Sequence, residues 1–155
     1  MYLMPVDNAP PIQRVRAILL TDNKEVVFIK RIKPNKPQPY WVAPGGGVES
    51  IDANLQDALY RELCEELGAS IEIVERGFVL EHTKADKELE EHFFICRLIS
   101  YDLSKRNGPE FDDPARGRYI PDFVPLQTSA ILELNIITEP LQKWLLNNLS
   151  YLRQI

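Results

Sequence analysis

A chain of 155 residues with 45% hydrophobic content is long enough to bury one substantial core and short for two, so a single domain over 1–155 is expected. The formal net charge is −5 and no run of five basic residues occurs, which argues against a nucleic-acid partner, although a small phosphate ester can still bind through divalent cations. No apolar stretch approaches the roughly 20 residues that span a bilayer, and the opening MYLMPVDNAPP lacks the regions of a secretory signal, so no membrane partner is expected and the chain reads as cytoplasmic.

After the proline-rich opening, Val15, Ala17 and Leu19 alternate with Arg16, Ile18 and Leu20 in a mostly apolar run, which predicts a buried strand ending at the turn Thr21 to Lys24. Val26 to Arg31 predicts a second strand, completing a hairpin. The prolines of Lys33 to Pro39 forbid regular structure and force an exposed cationic loop. Tyr40 to Ala43 predicts a short strand that stops at Pro44-Gly45-Gly46-Gly47, a turn whose main chain can approach a ligand closely.

From Leu55 to Leu67 there is neither Gly nor Pro, and Gly68 follows where a C-terminal cap would sit, so a helix is expected there. Ile71 to Leu80 and His92 to Tyr101 read as strands flanking the charged segment Lys84 to Glu91. Tyr119 to Val124 is a weaker strand interrupted by Pro121. Residues 102–118 read as a long loop, either a substrate lid or a tolerated insertion. A last helix is expected to start with Thr138 as cap and Pro140 in the first turn, burying Leu141, Trp144, Leu145 and Leu149. Cys64 and Cys96 are too far apart for a CxxC motif and read as buried small hydrophobes, with a reactive thiol or zinc ligand as the alternative.

The chemistry concentrates in Arg61-Glu62-Leu63-Cys64-Glu65-Glu66-Leu67-Gly68. An α-helix turns about 100° per residue, so with Glu62 at zero, Glu66 lies near +40° and Glu65 near −60°: three carboxylates share one face. Leu59, Leu63, Leu67, Tyr60 and Cys64 make an adjoining apolar face that would press the helix onto a sheet. Crowded carboxylates raise one another's pKa unless a divalent cation compensates them. A solvated acidic helix face is the plainer reading, but Arg61 stands ready to orient a carboxylate. The Gly45-Gly46-Gly47 turn just upstream could add a carbonyl to a hard-oxygen site for Mg²⁺ or Mn²⁺.

These residues resemble the Nudix box, GX5EX7REUXEEXGU with U a bulky aliphatic residue, and the chain is identified on them as a MutT-like member of the Nudix hydrolase family. The second half is matched in order from Arg61 through Gly68, and the final U is Ala69. The first half departs: counting from Gly46 puts Asp52 where the family has its earlier Glu, with eight residues rather than seven before Arg61. Counting from Gly47 keeps the spacing but places Ala53 there. On the first count the box covers about 46–69, with one residue inserted ahead of the helix, and the departure bears on loop geometry more than on the metal cluster. The strand ending at Arg31, the approach from Trp41 to Gly46 and the helix after Glu139 extend the resemblance from about Arg14 to Leu149.

The resemblance implies an α+β fold, an α/β/α sandwich with a mixed β-sheet between helices. It implies Mg²⁺-assisted attack of water on a nucleoside diphosphate linked to a moiety X, with Glu62, Glu65, Glu66 and the Gly46 carbonyl as metal ligands and Arg61 fixing glutamate orientation. Arg31, Trp41, Gly45 and Gly46 are the candidate substrate contacts, with Tyr40 as the alternative to Trp41 for stacking on a base. A further acidic residue is expected from Glu90, Glu91, Glu110, Asp112 or Asp113. The subfamily marks for ADP-ribose and dinucleoside polyphosphates are missing at Lys84, Ala85 and Asp86. That leaves a nucleoside triphosphate, including oxidised forms such as 8-oxo-dGTP, as the expected substrate. A nucleotide sugar or another dinucleotide is the alternative, and a non-catalytic nucleotide sensor is the reading of another class. Many relatives are dimers, so a homodimer is also an expectation.

Overall fold

The computed structural model describes residues 9–155, so most of the opening stretch read above lies outside the described residues. Strands β1 (Ile12–Leu20) and β2 (Glu25–Ile32) form the expected hairpin, yet they pair only at Leu19↔Val27 and Leu20↔Val26. From there they diverge. On one side β1 runs parallel to β6 (Lys87–Ser100), which pairs antiparallel with β5 (Ser70–Lys84). On the other side β2 takes β3 (Tyr40–Val42) and, along its whole length, β7 (Arg118–Pro125). The gap is bridged by β4 (Gly45–Gly47), which pairs with β1 at Arg14 to Arg16. The seven strands thus form a mixed sheet with a split in it, and the split becomes the cleft described below.

Alternation along β1 builds two cores. Val15, Ala17 and Leu19 face helix α1 (Leu55–Leu67) through Leu59, Leu63 and Leu67, while Ile18 and Leu20 face helix α3 (Glu139–Leu152) through Leu141, Leu145 and Leu149. A short helix α2 (Thr128–Leu132), which no sequence signal announced, joins α3 on that second face. The expected helix–sheet–helix layering is therefore present. Helix α1 is fixed at both ends: Asn54 Oδ1 accepts from Asp57 N at 2.8 Å, and Gly68, at φ 58, donates its N–H to Cys64 O at 2.8 Å.

Several local expectations are corrected. The Gly45–Gly47 stretch is a strand rather than a turn. The segment 84–91 lies in the β5–β6 hairpin, turning on Ala85 and Asp86 with φ 51 and 62. Pro121 does not interrupt β7, because that strand pairs only with β2 among the described residues and an edge tolerates a missing N–H. Thr138 precedes α3 but makes no side-chain cap bond, and its Oγ1 is buried without a partner. Residues 102–118 contain three short 3₁₀ turns and dock on the end of α1, with Asn107 N donating to Glu65 O at 3.0 Å. Cys96 is buried, its thiol pushed up to about 12 by burial, but Cys64 is exposed.

Candidate active site

The exposure of Cys64 and Tyr60 shows how α1 is rotated. Ala58 is fully buried together with Leu59 and Leu63, so the buried arc is turned toward the carboxylates and away from Tyr60 and Cys64. On a helix advancing about 100° per residue, Glu62 and Glu66 fall inside that arc, while Glu65 and Arg61 fall outside it. Two carboxylates are thereby carried down to the sheet on a rigid support, and one stays at the rim.

The inner pair meets the glycine strand. Gly45, at φ 148, lies so close to β1 that a Cβ would overlap Val15 O, and a Cβ on Gly46 would overlap the Glu62 carboxylate. Gly45 N donates to Glu66 Oε1 at 3.2 Å. Burial pushes Glu66 up to about 7, against the opposing pull of Arg16 and of the Gly45 N–H, and burial likewise raises Glu62 despite the Arg61 guanidinium beside it.

The rim is organised by Arg61. Its Nε and Nη2 donate to Asp52 Oδ1 and Oδ2 at 2.9 and 2.8 Å, a two-pronged pair. Its Nη2 also donates to Gly47 O at 3.0 Å, and its Nη1 reaches Glu62 at 3.0 Å and Glu65 at 3.4 Å. Asp52 in turn accepts from Glu49 N at 2.8 Å, so the Arg61 bond and this N–H hold its carboxyl below the usual range. The extra residue before the helix is absorbed here. Counting from Gly46 brings an aspartate, one methylene shorter than glutamate, to the guanidinium with its loop closed.

The donor set suits a hard divalent cation. Two half-buried carboxylates with raised proton affinity sit against a glycine backbone, and a 2+ charge would compensate both. Among the described residues, no three carboxylate, imidazole or thiol groups already stand close enough to enclose a metal ion. Glu65 is more exposed than Glu62 and meets the same Arg61 Nη1, at 3.4 Å.

Beyond Gly45 and Glu66 opens a cleft of about 570 Å³ where β1 and β2 have separated. Its lining inverts the charge of the whole chain: Arg14, Arg16, Arg31, Lys33, Lys36 and Lys84 face only Glu66 and Glu91. Arg16 Nε donates to Glu91 Oε2 at 2.9 Å and its Nη1 to Ala43 O at 3.2 Å, while His82 Nε2 lies 2.6 Å from Glu91 Oε1. Burial pushes Glu91 upward, but Arg16 and His82 outweigh it and hold this carboxyl below its ordinary value.

Of the expected substrate contacts, Arg31, Gly45 and Gly46 line the cleft. Trp41 does not. Strand alternation sends Tyr40 and Val42 to the cleft and turns Trp41 the other way, where it packs on the α3-side core and its Nε1 donates to Asp122 Oδ2 at 2.8 Å. Among the candidate acids, Glu91 lines the cleft and Glu110 acts on Glu66 through its charge. Tyr40, the alternative to Trp41, does line the cleft, whereas Arg14, Arg16, Lys33, Lys36, Lys84 and Tyr119 are not grouped by the sequence, since they come from four separate segments. Only the alternation along each strand, combined with the sheet order, could have grouped them.

A family model described as NUDIX domain matches residues 11–136. The chain is 40% identical over 118 residues to an RNA pyrophosphohydrolase of Ruthia magnifica subsp. Calyptogena magnifica, a match covering 64% of this chain and 63% of that protein's length. Among solved structures, it superposes on a NUDIX hydrolase from Nitrosomonas europaea with a TM-score of 0.69 at 16% identity, covering 92% of this chain and 90% of that one. It also superposes on the MutT protein from Methanosarcina mazei Go1 with a TM-score of 0.67 at 18% identity, covering 93% and 96%. At these identities the structural matches speak for the fold.

Proposed function

The chain belongs to the NUDIX family, and from that premise we propose that it is a divalent-cation-dependent pyrophosphohydrolase of a nucleoside diphosphate linked to X. A 5′-triphosphate is its substrate, with a nucleoside monophosphate end and pyrophosphate as products. The observation that carries this reading is the opposition of charge. Helix-borne carboxylates at the glycine strand open onto a cleft whose cations outnumber its carboxylates six to two. The relative named RNA pyrophosphohydrolase supports the 5′-triphosphate, since that end is common to a mononucleotide and to an RNA.

We assign Glu62, Glu65, Glu66 and the Gly46 carbonyl to the metal. When bound, Mg²⁺ or Mn²⁺ supplies neutralisation of phosphate oxygens and a water of lowered pKa. The chain's own residues do the positioning. Arg61 ties the carboxylate helix to the glycine strand and keeps its proton throughout, because guanidinium does not deprotonate in proteins. Arg16, fixed by Glu91 and by Ala43 O, presents a charge to the phosphates from the opposite wall. One of the three glutamates accepts the proton of the attacking water.

The test is pyrophosphate and phosphate release from nucleoside triphosphates, 8-oxo-dGTP, nucleotide sugars, ADP-ribose and dinucleoside polyphosphates, with Mg²⁺, with Mn²⁺ and with chelator. Metal-dependent release of pyrophosphate from a triphosphate is expected. Turnover confined to a nucleotide sugar or dinucleotide would move the substrate to that class. Tight metal-dependent binding with no hydrolysis would replace the enzyme by a nucleotide sensor.

A further inference from the structure

Arg61 and Arg16 meet their carboxylates differently. Arg61 grips Asp52 with Nε and Nη2 together, one oxygen to each nitrogen. Arg16 spends only Nε on Glu91, at 2.9 Å to Oε2, and turns Nη1 to Ala43 O at 3.2 Å. Its Nη2, the nitrogen that completes the fork in Arg61, has no partner among the described residues. Glu91 has a second oxygen that a fork would use, and the forked pair is the stronger arrangement. What keeps the pair open is His82. Its Nε2 lies 2.6 Å from Glu91 Oε1, and since an ionised carboxylate only accepts, the hydrogen of that contact sits on Nε2.

The sheet imposes this arrangement. Between β5 and β6 the register sets Leu80 opposite Glu91 and His82 opposite Leu89, so His82 and Glu91 are diagonal neighbours on one face. On the other side β1 runs parallel to β6 with Arg14 opposite Glu91 and Arg16 opposite Phe93, which brings Arg16 to the same carboxylate. Glu91 is buried between the two, while Arg16 and His82 are half-buried and line the cleft.

Resting on the pyrophosphohydrolase reading for the nature of the anion, we propose that His82 is a positioning residue for the reaction. By occupying Glu91 Oε1 it holds the Arg16–Glu91 pair to a single bond and keeps Arg16 Nη2 free to donate to a phosphate oxygen of the substrate. Without the imidazole, Glu91 closes on Nε and Nη2 together, the guanidinium turns from Ala43 O, and the cleft loses that donor. His82 acts through Glu91 on Arg16 and needs no contact with the reacting atoms.

The test is a double-mutant cycle read as KM and kcat for a nucleoside triphosphate with Mg²⁺. His82→Ala should raise KM about tenfold with kcat within about threefold of wild type, because what is lost is a donor to phosphates already present in the bound substrate. His82→Gln, whose amide N–H can still donate to Glu91, should recover most of that loss. Arg16→Lys keeps the charge but has no fork to protect, so on that background His82→Ala should change KM less than about twofold. A merely structural histidine would lower kcat through the fraction of active protein, leave KM unmoved and do so equally on both backgrounds. That result overturns the proposal, as does an alanine variant with wild-type kinetics.

Wild type, the two single variants and the double variant are also titrated by calorimetry with inorganic pyrophosphate in Mg²⁺, which needs no turnover. About tenfold weaker binding in His82→Ala, with no further loss on the Arg16→Lys background, upholds the role of His82 even if no nucleotide is hydrolysed, and the enzymatic reading alone then falls. Hydrolysis with additive losses leaves that reading standing and refutes the positioning role; where the protein turns over, the kinetic cycle decides. A wild type that neither binds pyrophosphate nor hydrolyses a nucleotide removes both.

Discussion

Two arginines hold the glycine strand from opposite sides, and they sit in opposite electrostatic company. Arg61 donates to Gly47 O and is ringed by Asp52, Glu62 and Glu65, with Glu49 Oε1 3.7 Å away. Arg16 donates to Ala43 O, just before that strand, and shares one carboxylate, Glu91, with His82 in a wall of cations. The difference teaches what each side lacks. At α1 negative charge exceeds its arginine and calls for a cation, whereas in the cleft positive charge exceeds its glutamates and calls for an anion. A metal–polyphosphate complex supplies both at once, with the glycine strand as the seam between them.

The sharpest way to separate the two sides is Glu66→Gln, which keeps the side chain's shape and its acceptor for the Gly45 N–H but removes the charge. Turnover is expected to fall by roughly three orders of magnitude, because this charge acts mainly on the transition state. The fold should not suffer; a half-buried carboxylate held above its ordinary proton affinity costs stability at pH 8, so the metal-free variant should melt at or above the wild-type temperature. A rate within tenfold of wild type would remove Glu66 from the reaction.

Next in size is Arg61→Lys. Lysine keeps the charge but cannot make the two-pronged bond to Asp52 while also reaching Gly47 O. Losing those charge-assisted bonds is expected to cost about 2 kcal/mol. For a domain of this size that corresponds to a drop of roughly 5 °C in Tm. Activity should fall along with it as the helix and glycine strand lose register. An unchanged Tm would mean that Asp52 does not brace the loop, and the inserted residue would need another account.

How much of this was readable beforehand divides along the same seam. Helix α1 is legible through its C-terminal cap, Gly68, and its helix formers, and the order Arg61 to Gly68 makes the carboxylate side legible as a motif. Even so, the rotation of the helix was misjudged: Tyr60 and Cys64 count as apolar by composition, and only the contact with the sheet shows that Ala58 takes the buried place. The cation side was hidden. A net charge of −5 averages over the surface and says nothing about six cations brought to one cleft from β1, β2, β5 and the loop after β2. The hairpin through 84–91 was hidden for a related reason. Residues 84–88 are exposed and, Ala85 aside, charged, so they leave no hydrophobic alternation to read, and the turn uses Ala85 and Asp86 rather than the glycine that positive φ favours.

The smallest expected effect is thermodynamic and tests whether α1 really wants a cation. Glu66 binds its proton with a pKa of about 7 in the fold, against an ordinary value of 4.5. Between those values the folded state keeps a proton that the unfolded chain has lost. Stability contributed by this group is therefore greatest below about pH 4.5, falls as pH rises through the window, and is flat above about 7. Asp52 works with the opposite sign but in a separate range: its lowered carboxyl supports the fold above its ordinary value of 3.8 and is lost only in stronger acid, so measurements from pH 5 upward avoid it. Metal-free protein should thus lose a few degrees of Tm between pH 5 and pH 8 through Glu66, and Glu66→Gln should flatten that part of the slope. Mg²⁺ must displace the proton to bind, so it should raise Tm more at pH 8 than at pH 5. Equal Mg²⁺ shifts at the two pH values, with parallel slopes for wild type and variant, would mean that the half-buried carboxylate is not waiting for a cation. The charge on this side of the glycine strand would then be balanced by Arg61 and Arg16 alone.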